Sequence, residues 1–239
     1  DDRPEAGLVL ANELLDALPV HLVEGGPDGD LREVFVALDD ARDLALRTGV
    51  PTTSALAARL VDEGIQLAPG QRAEICLEIG AWLSRAVAGL DRGLLLIFDY
   101  GYPADELYDP ARGSTLRAYH RHRVHDDPLD AIGRQDLTAH VDLTAVERAA
   151  TNAGLTPLGR TTQAELLAGL GIGDLLVGLQ SDSASTLESY LEARSAVMRM
   201  LDPRATGGFA ALLYGRKLPA KPSLRGLSFR VHAIDGPDS

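Results

Sequence analysis

Cysteine is nearly absent from this chain of 239 residues, in which Cys76 stands alone. One cysteine cannot form an internal disulfide or a cysteine-rich zinc site, so we interpret Cys76 as a small core residue. Long apolar runs are also missing, since none approaches the roughly eighteen residues that a membrane-spanning helix needs. No signal-peptide pattern is present. These absences predict a cytoplasmic protein that does not insert into a membrane.

Positively charged residues are also few. The chain has 23 lysines and arginines against 35 aspartates and glutamates, which gives a formal net charge of −12 at pH 7. A nucleic-acid partner would require a basic surface, so we expect no nucleic-acid binding. The hydrophobic content of 45% and the charged content of 24% are typical of a globular protein, and the length allows one large domain or two small ones.

Several catalytic motifs are absent as well. The chain has no G-x-S-x-G nucleophile motif and no P-loop. The stretch GLGIG at 169–173 does not follow a predicted strand, so we do not interpret it as a nucleotide site. His120, His122 and His125 alternate with arginines that would repel a cation, which predicts no metal site. A loop that faces an anion or the substrate, and a solvated basic stretch, both stay open as interpretations of this segment.

Two short, wholly apolar runs are the clearest structural signal in the sequence. Gly7–Ala11 (GLVLA) and Gly93–Phe98 (GLLLIF) are typical of strands that are covered on both faces. Between them, Ala73–Leu90 has the periodicity of an amphipathic helix, and Gly93 follows as a stop. Two buried strands joined through a helix predict an α/β fold with a mostly parallel sheet and helices on both faces.

Local patterns predict the remaining elements. The turn-rich stretch GGPDGD predicts a hairpin of Val20–Glu24 and Leu31–Val36. The other predicted helices are Thr53–Glu63, Ala145–Ala153 with Asp142 or Thr144 as its cap, Gln163–Leu170 and Ser185–Leu201. The other predicted strands are Leu155–Thr161 and Phe209–Tyr214. Residues 102–135 are expected to be irregular, and the polar segment 218–239 is expected to be a poorly ordered tail.

Polar residues follow both apolar strands directly. Asn12 and Glu13 come after the first strand, and Asp99 and Tyr100 come after the second. Ligands of open α/β sheets lie beyond the carboxyl ends of the strands, so this edge is the first candidate for a binding site. A carboxylate there, from Glu13 or the nearby Asp16, can hold a cationic substrate or act as a base. A solvated loop carboxylate and a helix cap are equally open interpretations of both.

His140 lies in the stretch DLTAHVD. A histidine on a strand is more often a core residue with a hydrogen-bond partner than a catalyst. The neighbouring Asp136 and Asp142 could orient its ring, which keeps a catalytic role open.

Six longer stretches occur in order along the chain: NELLDALPVH, LREVFV, RAEICLEIGAWL, LLLIFDYGYPADELYDP, GSTLRAYHRHRVHDDPL and GRQDLTAHVDLTAVERAA. In order and spacing they resemble the MidA-like family of S-adenosylmethionine-dependent methyltransferases, and NELLDALP and QDLTAHVD are the most specific pieces. The resemblance covers roughly residues 7–215. The family includes the mitochondrial complex I assembly factor that methylates an arginine, and many bacterial relatives.

The resemblance implies a class I methyltransferase fold, whose Rossmann-like sheet is mostly parallel with one antiparallel strand near the C-terminal end. By that resemblance Leu8–Ala11 is the fourth strand, Leu94–Phe98 the fifth and Phe209–Tyr214 the reversed seventh. The family's glycine-rich cofactor loop and acidic ribose ligand belong to earlier strands, so we expect them upstream of residue 1. Residues 1–217 are then expected to be a partial domain from the fourth strand onward, with a β-hairpin insertion.

The resemblance also implies roles for the candidate residues. NELLDALP is similar to the loop of symmetric-type protein arginine methyltransferases, in which a glutamate holds the substrate guanidinium, and that role falls on Glu13. A carboxylate suits this role, because it binds a guanidinium through two hydrogen bonds and aims one nitrogen at the methyl donor. The implied catalytic residues are Glu13 and Asp16, with Glu24 as an alternative second acid. The implied substrate-binding residues are Asn12, Glu24, Asp99, Tyr100 and His140, and the implied cofactor-binding residues are Asn12 and Leu14.

The function that the resemblance implies is S-adenosylmethionine-dependent methylation of a protein arginine. It implies a protein substrate, for which a respiratory complex I subunit is one candidate, and it leaves room for a homodimer. Two alternatives stay open. The acceptor could be a small-molecule nitrogen or oxygen nucleophile, or the protein could keep the fold for assembly or binding without catalysis.

Overall fold

The computed structural model describes residues 6–121, 123–181, 186–219 and 222–228. The strands in these ranges are β1 (Gly7–Asn12), β2 (His21–Gly25), β3 (Leu31–Leu38), β4 (Leu44–Gly49), β5 (Arg72–Ile75), β6 (Gly93–Asp99), β7 (Gly101–Tyr102), β8 (Arg117–His120), β9 (Arg123–His125), β10 (Asp136–Thr138), β11 (Val141–Asp142), β12 (Thr156–Thr162) and β13 (Ala210–Arg216). The helices are α1 (Ala55–Asp62), α2 (Ile79–Ala86), α3 (Ala104–Leu107), α4 (Leu143–Asn152), α5 (Gln163–Leu170), α6 (Ile172–Ser181) and α7 (Leu187–Leu201).

Several of the sequence predictions fall partly outside these ranges. The residues concerned are 1–5 of the expected domain, His122 of the histidine cluster, Ser185 of the predicted helix Ser185–Leu201, and 220, 221 and 229–239 of the expected tail. The described part of the tail contains a 3₁₀ turn at Arg225–Leu227, and Leu224 and Leu227 pack against a buried apolar cluster that includes Leu166 of α5.

The chain forms two compact units. The first unit consists of the described residues up to Glu13, from Ser84 to Tyr100 and from Ala150 onward. The second unit consists of Leu14–Leu83 and Gly101–Ala149.

The first unit is built on a sheet with the strand order β1-β6-β13-β12. Strands β1 and β6 are parallel, with Leu10 opposite Leu96, which confirms the predicted parallel pair. Strand β13 runs antiparallel to both β6 and β12, so the reversed strand that the resemblance implied is also confirmed.

Strand β6 is covered on both faces, which explains its continuous apolar sequence. Leu95 and Ile97 are fully buried, whereas Phe98 faces the opposite side and packs against the cluster that contains Leu166 of α5. At the start of β6, Gly93 has a φ of 144°, and a Cβ atom there would lie 1.9 Å from the carbonyl oxygen of Gly7. Only glycine therefore permits the two parallel strands to meet at this end.

The second unit is built on an antiparallel sheet with the order β4-β3-β2-β5. Strands β2 and β3 form the predicted hairpin, with Val23 opposite Glu33. Strand β4 is not predicted from the sequence, because polar and apolar residues do not alternate in its stretch LALRTG. One face of the sheet packs Val23 and Ile75 against Leu56 and Leu60 of α1, and these residues form the core of this unit.

The predicted helix Ala73–Leu90 is wrong in its first part. Residues Arg72–Ile75 form β5, and the helix covers only Ile79–Ala86. The apolar residues at the start of this segment fit a strand alternation as well as a helical period, so the pattern is ambiguous. Pairing with β2 decides the outcome, and it buries Glu74, whose carboxylate accepts hydrogen bonds from the backbone and hydroxyl of Thr115.

The expectation of an irregular segment at 102–135 is also wrong. It contains α3 and the strands β8 and β9, and a three-stranded sheet forms in the order β10-β8-β9. Strands of three or four residues show too few periods for a pattern to be recognised. Helix α6 was likewise not predicted, whereas α1, α4, α5, α7, β12 and β13 lie within two residues of their predicted bounds at each end.

Among the described residues, no single helix has the length and apolar composition to cross a membrane. Helices α5 and α6, which meet at a bend of 53°, reach that length and composition only as a pair.

Arg216 at the end of β13 holds the first unit together through main-chain carbonyls. Its guanidinium donates hydrogen bonds to the carbonyl oxygens of Val87 and Leu90, both at 2.9 Å, and to that of Ala153. These are carbonyls in the turns after helices, which have no helical partner of their own. The Arg216 guanidinium therefore links the ends of α2 and α4 to the sheet.

Replacing Arg216 by Met is expected to lower the free energy of unfolding by about 2–3 kcal/mol, because charge-assisted bonds to half-buried carbonyls are lost. The adjacent Lys217 provides a matched control, since its ammonium contacts the exposed Asp91 at 2.6 Å. The Lys217→Met change should therefore lower the free energy of unfolding by less than about 1 kcal/mol. Urea denaturation of both variants is the measurement, and equal losses of stability would contradict this role of Arg216.

Candidate functional site

The carboxyl edge of β1 and β6 in the first unit brings four of the predicted site residues together. Asn12 lies opposite Phe98 in the parallel pairing, and the backbone nitrogen of Glu13 donates to the carbonyl of Phe98 at 2.9 Å. Asp99 and Tyr100 follow directly on the neighbouring strand. Because the strands are parallel, the residues that follow both of them emerge at the same edge of the sheet.

Glu13 has an unusual backbone conformation at this edge. Its φ is 45°, in the left-handed region that residues with a side chain rarely adopt. The side chain is exposed, and one carboxylate oxygen lies 3.3 Å from the amide nitrogen of Asn12, which donates to it. A strained backbone that presents a carboxylate to solvent at the carboxyl end of a strand is a common feature of functional sites.

Asp99 and Tyr100 are more enclosed than Glu13. The Asp99 side chain is only 1% exposed, and its carboxylate accepts a hydrogen bond from the backbone nitrogen of Tyr100 at 3.0 Å. The ring of Tyr100 packs at 5.2 Å from that of Phe209. Asp99 thus fixes the turn at the end of β6, and Tyr100 gives the edge an aromatic wall.

The four other predicted site residues belong to the second unit, and they are Leu14, Asp16, Glu24 and His140. Asp16 is 7% exposed, and its carbonyl accepts a hydrogen bond from the backbone nitrogen of Ala139 at 3.0 Å. Glu24 on β2 accepts a hydrogen bond at 2.9 Å from Arg72 on the adjacent β5. This cross-strand ion pair gives Glu24 a structural role, so Asp16 is the better candidate for a second acid. Leu14, the expected cofactor contact, is 38% exposed.

His140 sits in a polar cluster of the second unit. Its backbone nitrogen donates to the hydroxyl of Thr115 at 3.1 Å, and its ring lies 5.5 Å from that of Tyr102. The guanidinium of Arg112 stacks on the same tyrosine at 3.6 Å from the ring centroid. Burial, and then the positive charges of Arg112 and Arg117, lower the pKa of His140. Both effects favour the neutral imidazole.

Glu74 was not recognisable as a site residue from the sequence. Its buried carboxylate accepts hydrogen bonds from Ser114 and from Thr115, and Thr115 in turn holds the backbone of His140. A glutamate within the otherwise apolar run of a buried strand was the available signal. Asp142, a predicted neighbour of His140, accepts from the backbone nitrogen of Ala145 at 2.9 Å, which confirms it as the cap of α4.

No cluster of three or more histidine, cysteine or acidic side chains that could hold a metal ion exists within the described residues. The absence of a metal stays a prediction. Cys76 is only half-buried, and burial raises the pKa of its thiol, which disfavours a reactive thiolate.

A buried carboxyl group near Asp142 has a strongly shifted pKa. Burial, and then the nearby carboxylate of Asp142, raise the pKa of Glu63 to about 8. The guanidinium groups of Arg59 and Arg148 lie 3.8 and 3.7 Å from the Glu63 carboxylate and act in the opposite direction. Glu63 therefore carries a proton in the folded protein at neutral pH.

The proton on Glu63 makes stability depend on pH. The unfolded chain releases this proton at the ordinary, lower pKa, so the folded state binds more protons between about pH 5 and about pH 8, and the free energy of unfolding falls as the pH rises. Glu63→Gln is expected to flatten this fall. Asp62→Asn is the matched control, because it removes a largely exposed carboxylate that contacts the same Arg148 at 3.8 Å. Denaturant titrations at several pH values are the measurement, and an unchanged slope in Glu63→Gln would refute the assignment.

The comparisons with known proteins point to one enzyme class. Residues 1–161 match the model of a family of S-adenosyl-L-methionine-dependent methyltransferases. The chain is 32% identical over 195 residues to the protein arginine methyltransferase NDUFAF7, mitochondrial, of Danio rerio, covering 80% of this chain and 43% of that protein. It is 31% identical over 217 residues to the Homo sapiens protein of the same name, covering 87% of this chain and 46% of the relative. The chain thus spans about half the length of these curated relatives.

Two solved structures from Burkholderia thailandensis have the same fold. One is a COG1565 superfamily member bound to S-adenosyl-homocysteine, with a TM-score of 0.85 and 33% identity over 98% of this chain and 59% of that one. The other is a native COG1565 superfamily protein, with a TM-score of 0.84 and 33% identity over 96% of this chain and 60% of that one.

Proposed function

Since this chain belongs to the family of S-adenosyl-L-methionine-dependent methyltransferases, we propose that it forms the substrate-side portion of an enzyme that methylates arginine in a protein. The relatives named protein arginine methyltransferase, at about 30% identity, support the protein-arginine acceptor. A respiratory complex I subunit as substrate, a homodimeric assembly and a cytoplasmic location are further proposals, although the relatives carry the word mitochondrial in their names.

The single observation that carries the proposal is the exposed carboxylate of Glu13, held in a left-handed backbone conformation at the carboxyl edge of β1. A carboxylate fixed in this way can bind a guanidinium through two parallel hydrogen bonds. S-adenosylmethionine, when bound, supplies a methyl group on a positively charged sulfur. Glu13 would keep one guanidinium nitrogen in line with that methyl group, and such positioning provides much of the rate in a direct displacement.

The residues at this edge suit one side of a nucleoside cofactor. Asn12 offers an amide donor and acceptor, and Tyr100 offers an aromatic wall. In the described residues the glycine-rich stretch 169–173 lies at the junction of α5 and α6 and not after a strand of the sheet. The main cofactor loop of the family is therefore proposed to lie in sequence that precedes this chain.

The sheet of the first unit supports the proposal that this chain is only the substrate-side portion of the enzyme. Its order β1-β6-β13-β12, with β13 reversed, agrees with the fourth, fifth, seventh and sixth strands of a class I methyltransferase sheet. Strand β1 lies at the edge of this sheet, and its Leu8 and Leu10 are 60% and 58% exposed. An apolar, uncovered edge is avoided in native proteins, so we propose that preceding strands pair with β1 in the complete protein.

Glu13→Gln in the complete gene product is expected to lower the rate of methyl transfer to an arginine peptide by roughly 10²–10⁴, because the orienting charge is lost. The affinity for S-adenosylhomocysteine should stay nearly unchanged. Transfer of a radiolabelled methyl group is the measurement, and near wild-type turnover would refute the role of Glu13.

Two controls separate this role from a loss of folding. Glu13→Gly should relieve the positive φ and preserve or raise stability, yet remain as inactive as Glu13→Gln. Glu24→Gln removes a carboxylate that is engaged by Arg72, and it should keep most of the activity.

The 239-residue chain alone is expected to bind S-adenosylhomocysteine at least about two orders of magnitude more weakly than the complete gene product, a difference of roughly 3 kcal/mol. The reason is that the glycine-rich loop would supply the backbone N–H groups that hold the cofactor. The uncovered edge of β1 should also make the isolated chain prone to aggregate. Calorimetric titration is the measurement, and micromolar binding by a monodisperse monomer would contradict the proposed division.

A further inference from the structure

The second unit contains an apolar hollow of about 530 Å³. One wall is the face of the antiparallel sheet opposite its core, and the other wall comes from the β8–β10 region. We call this cavity the apolar hollow, and its lining includes Val34, Val36, Leu44, Ile132, Leu137, Ala139 and Asp16.

The hollow is buried at one end and open at the other. Asp16 and Ala139 are 7% and 3% exposed, and they mark the closed end. Val36, Leu44 and Ile132 are 56%, 46% and 55% exposed, and they mark the open end. Large apolar side chains that line a concave surface while remaining open to solvent are typical of a surface that a partner covers.

The charge around the hollow is predominantly negative. The loop at 126–136, which supplies one wall, contains four aspartates and one arginine, and the turn at 39–43, which leads into Leu44, contains three aspartates and one arginine. Asp126 is paired with Arg117 at 3.4 Å, so part of this charge is compensated. Asp16 adds a carboxylate to the lining at the closed end.

From this combination we propose that the apolar hollow binds a segment of the substrate protein, and that it selects an apolar side chain with basic residues next to it. The inference rests on the proposed function. An apolar side chain would fill the space between Val34 and Leu137, and the methylene groups of a neighbouring basic side chain would lie on the walls. The aspartates of the two flanking loops attract further basic residues and repel acidic ones.

The test uses the complete gene product without cofactor and three fluorescein-labelled peptides with a central arginine. Their flanking residues are leucine with lysine, leucine with glutamate, and serine with lysine. Fluorescence anisotropy should show the leucine–lysine peptide binding at least about tenfold more tightly than either of the others. Equal binding of all three peptides, or no binding, would overturn the proposal.

Matched variants locate the peptide. Val36→Glu and Leu44→Glu place a charge at the open end on side chains that are already exposed, and they should each weaken the leucine–lysine peptide by about tenfold. Val50→Glu and Val61→Glu change side chains that are 87% and 74% exposed and do not line the hollow, so they should leave binding unchanged. Equal effects at Val36 and Val50 would refute the location.

Two further outcomes separate this inference from its alternatives. If sedimentation shows a dimer that Val36→Glu dissociates, a second copy of the chain covers the hollow and the inference is wrong. If the peptides bind selectively but no methyl group is transferred with S-adenosylmethionine present, the proposed function fails while the peptide-binding assignment stands.

Discussion

The parallel pairing of β1 with β6 is the constraint on which the first unit and its candidate site depend. Six consecutive residues of each strand are in register, from Gly7 opposite Gly93 to Asn12 opposite Phe98. This register places the turn after β1 beside the turn after β6. Because side chains alternate along a strand, a slip of one residue would move Glu13 and Asp99 and turn the buried Leu95 and Ile97 toward the wrong face. Gly93 at the start of β6 secures the register, since a Cβ atom there would collide with the backbone of Gly7.

The connection between these two strands is much longer than a simple helical crossover. It contains the antiparallel sheet of the second unit and α1 before it reaches α2. This sheet has a core on one face and the apolar hollow on the other, so the same chain segment provides both stability and a surface for recognition. The segment between β1 and β6 therefore adds the surface that recognises the substrate to a methyltransferase fold.

The parts of the fold that could be predicted are those with a strong local signal. The runs GLVLA and GLLLIF are wholly apolar, and both form strands as predicted. The expected cover on both faces holds only for the second run, because Leu8 and Leu10 of the first run are exposed. Helix α5 begins and ends at its predicted residues because a Thr162–Glu165 capping box and Gly171 delimit it. The segment that forms strand β5 is predicted as a helix, because its apolar residues fit both the helical and the strand period. Only its pairing with β2, which lies far away in the sequence, makes it a strand. The short strands around 117–138 likewise form through contacts that no local pattern shows.

The candidate site also contains features that the sequence predicts and features that only the folded chain shows. The position of Glu13 at the carboxyl end of β1 was predictable from the apolar run before it, and its role at the site stays a prediction. Its left-handed backbone was not recognisable, since glutamate is an uncommon residue there. The links from Glu74 through Thr115 to His140, and the proton on Glu63, arise from burial and from neighbours distant in sequence, which only the folded chain brings together.

The central claim is that Glu13 holds the guanidinium of a substrate arginine. The most direct measurement is a crystal structure of the complete gene product with S-adenosylhomocysteine and an arginine-containing peptide. The account predicts two guanidinium nitrogens at about 2.7–3.0 Å from the carboxylate oxygens of Glu13, with one of them directed toward the sulfur of the cofactor product. A peptide arginine bound elsewhere, with the Glu13 carboxylate in contact only with solvent, would contradict it.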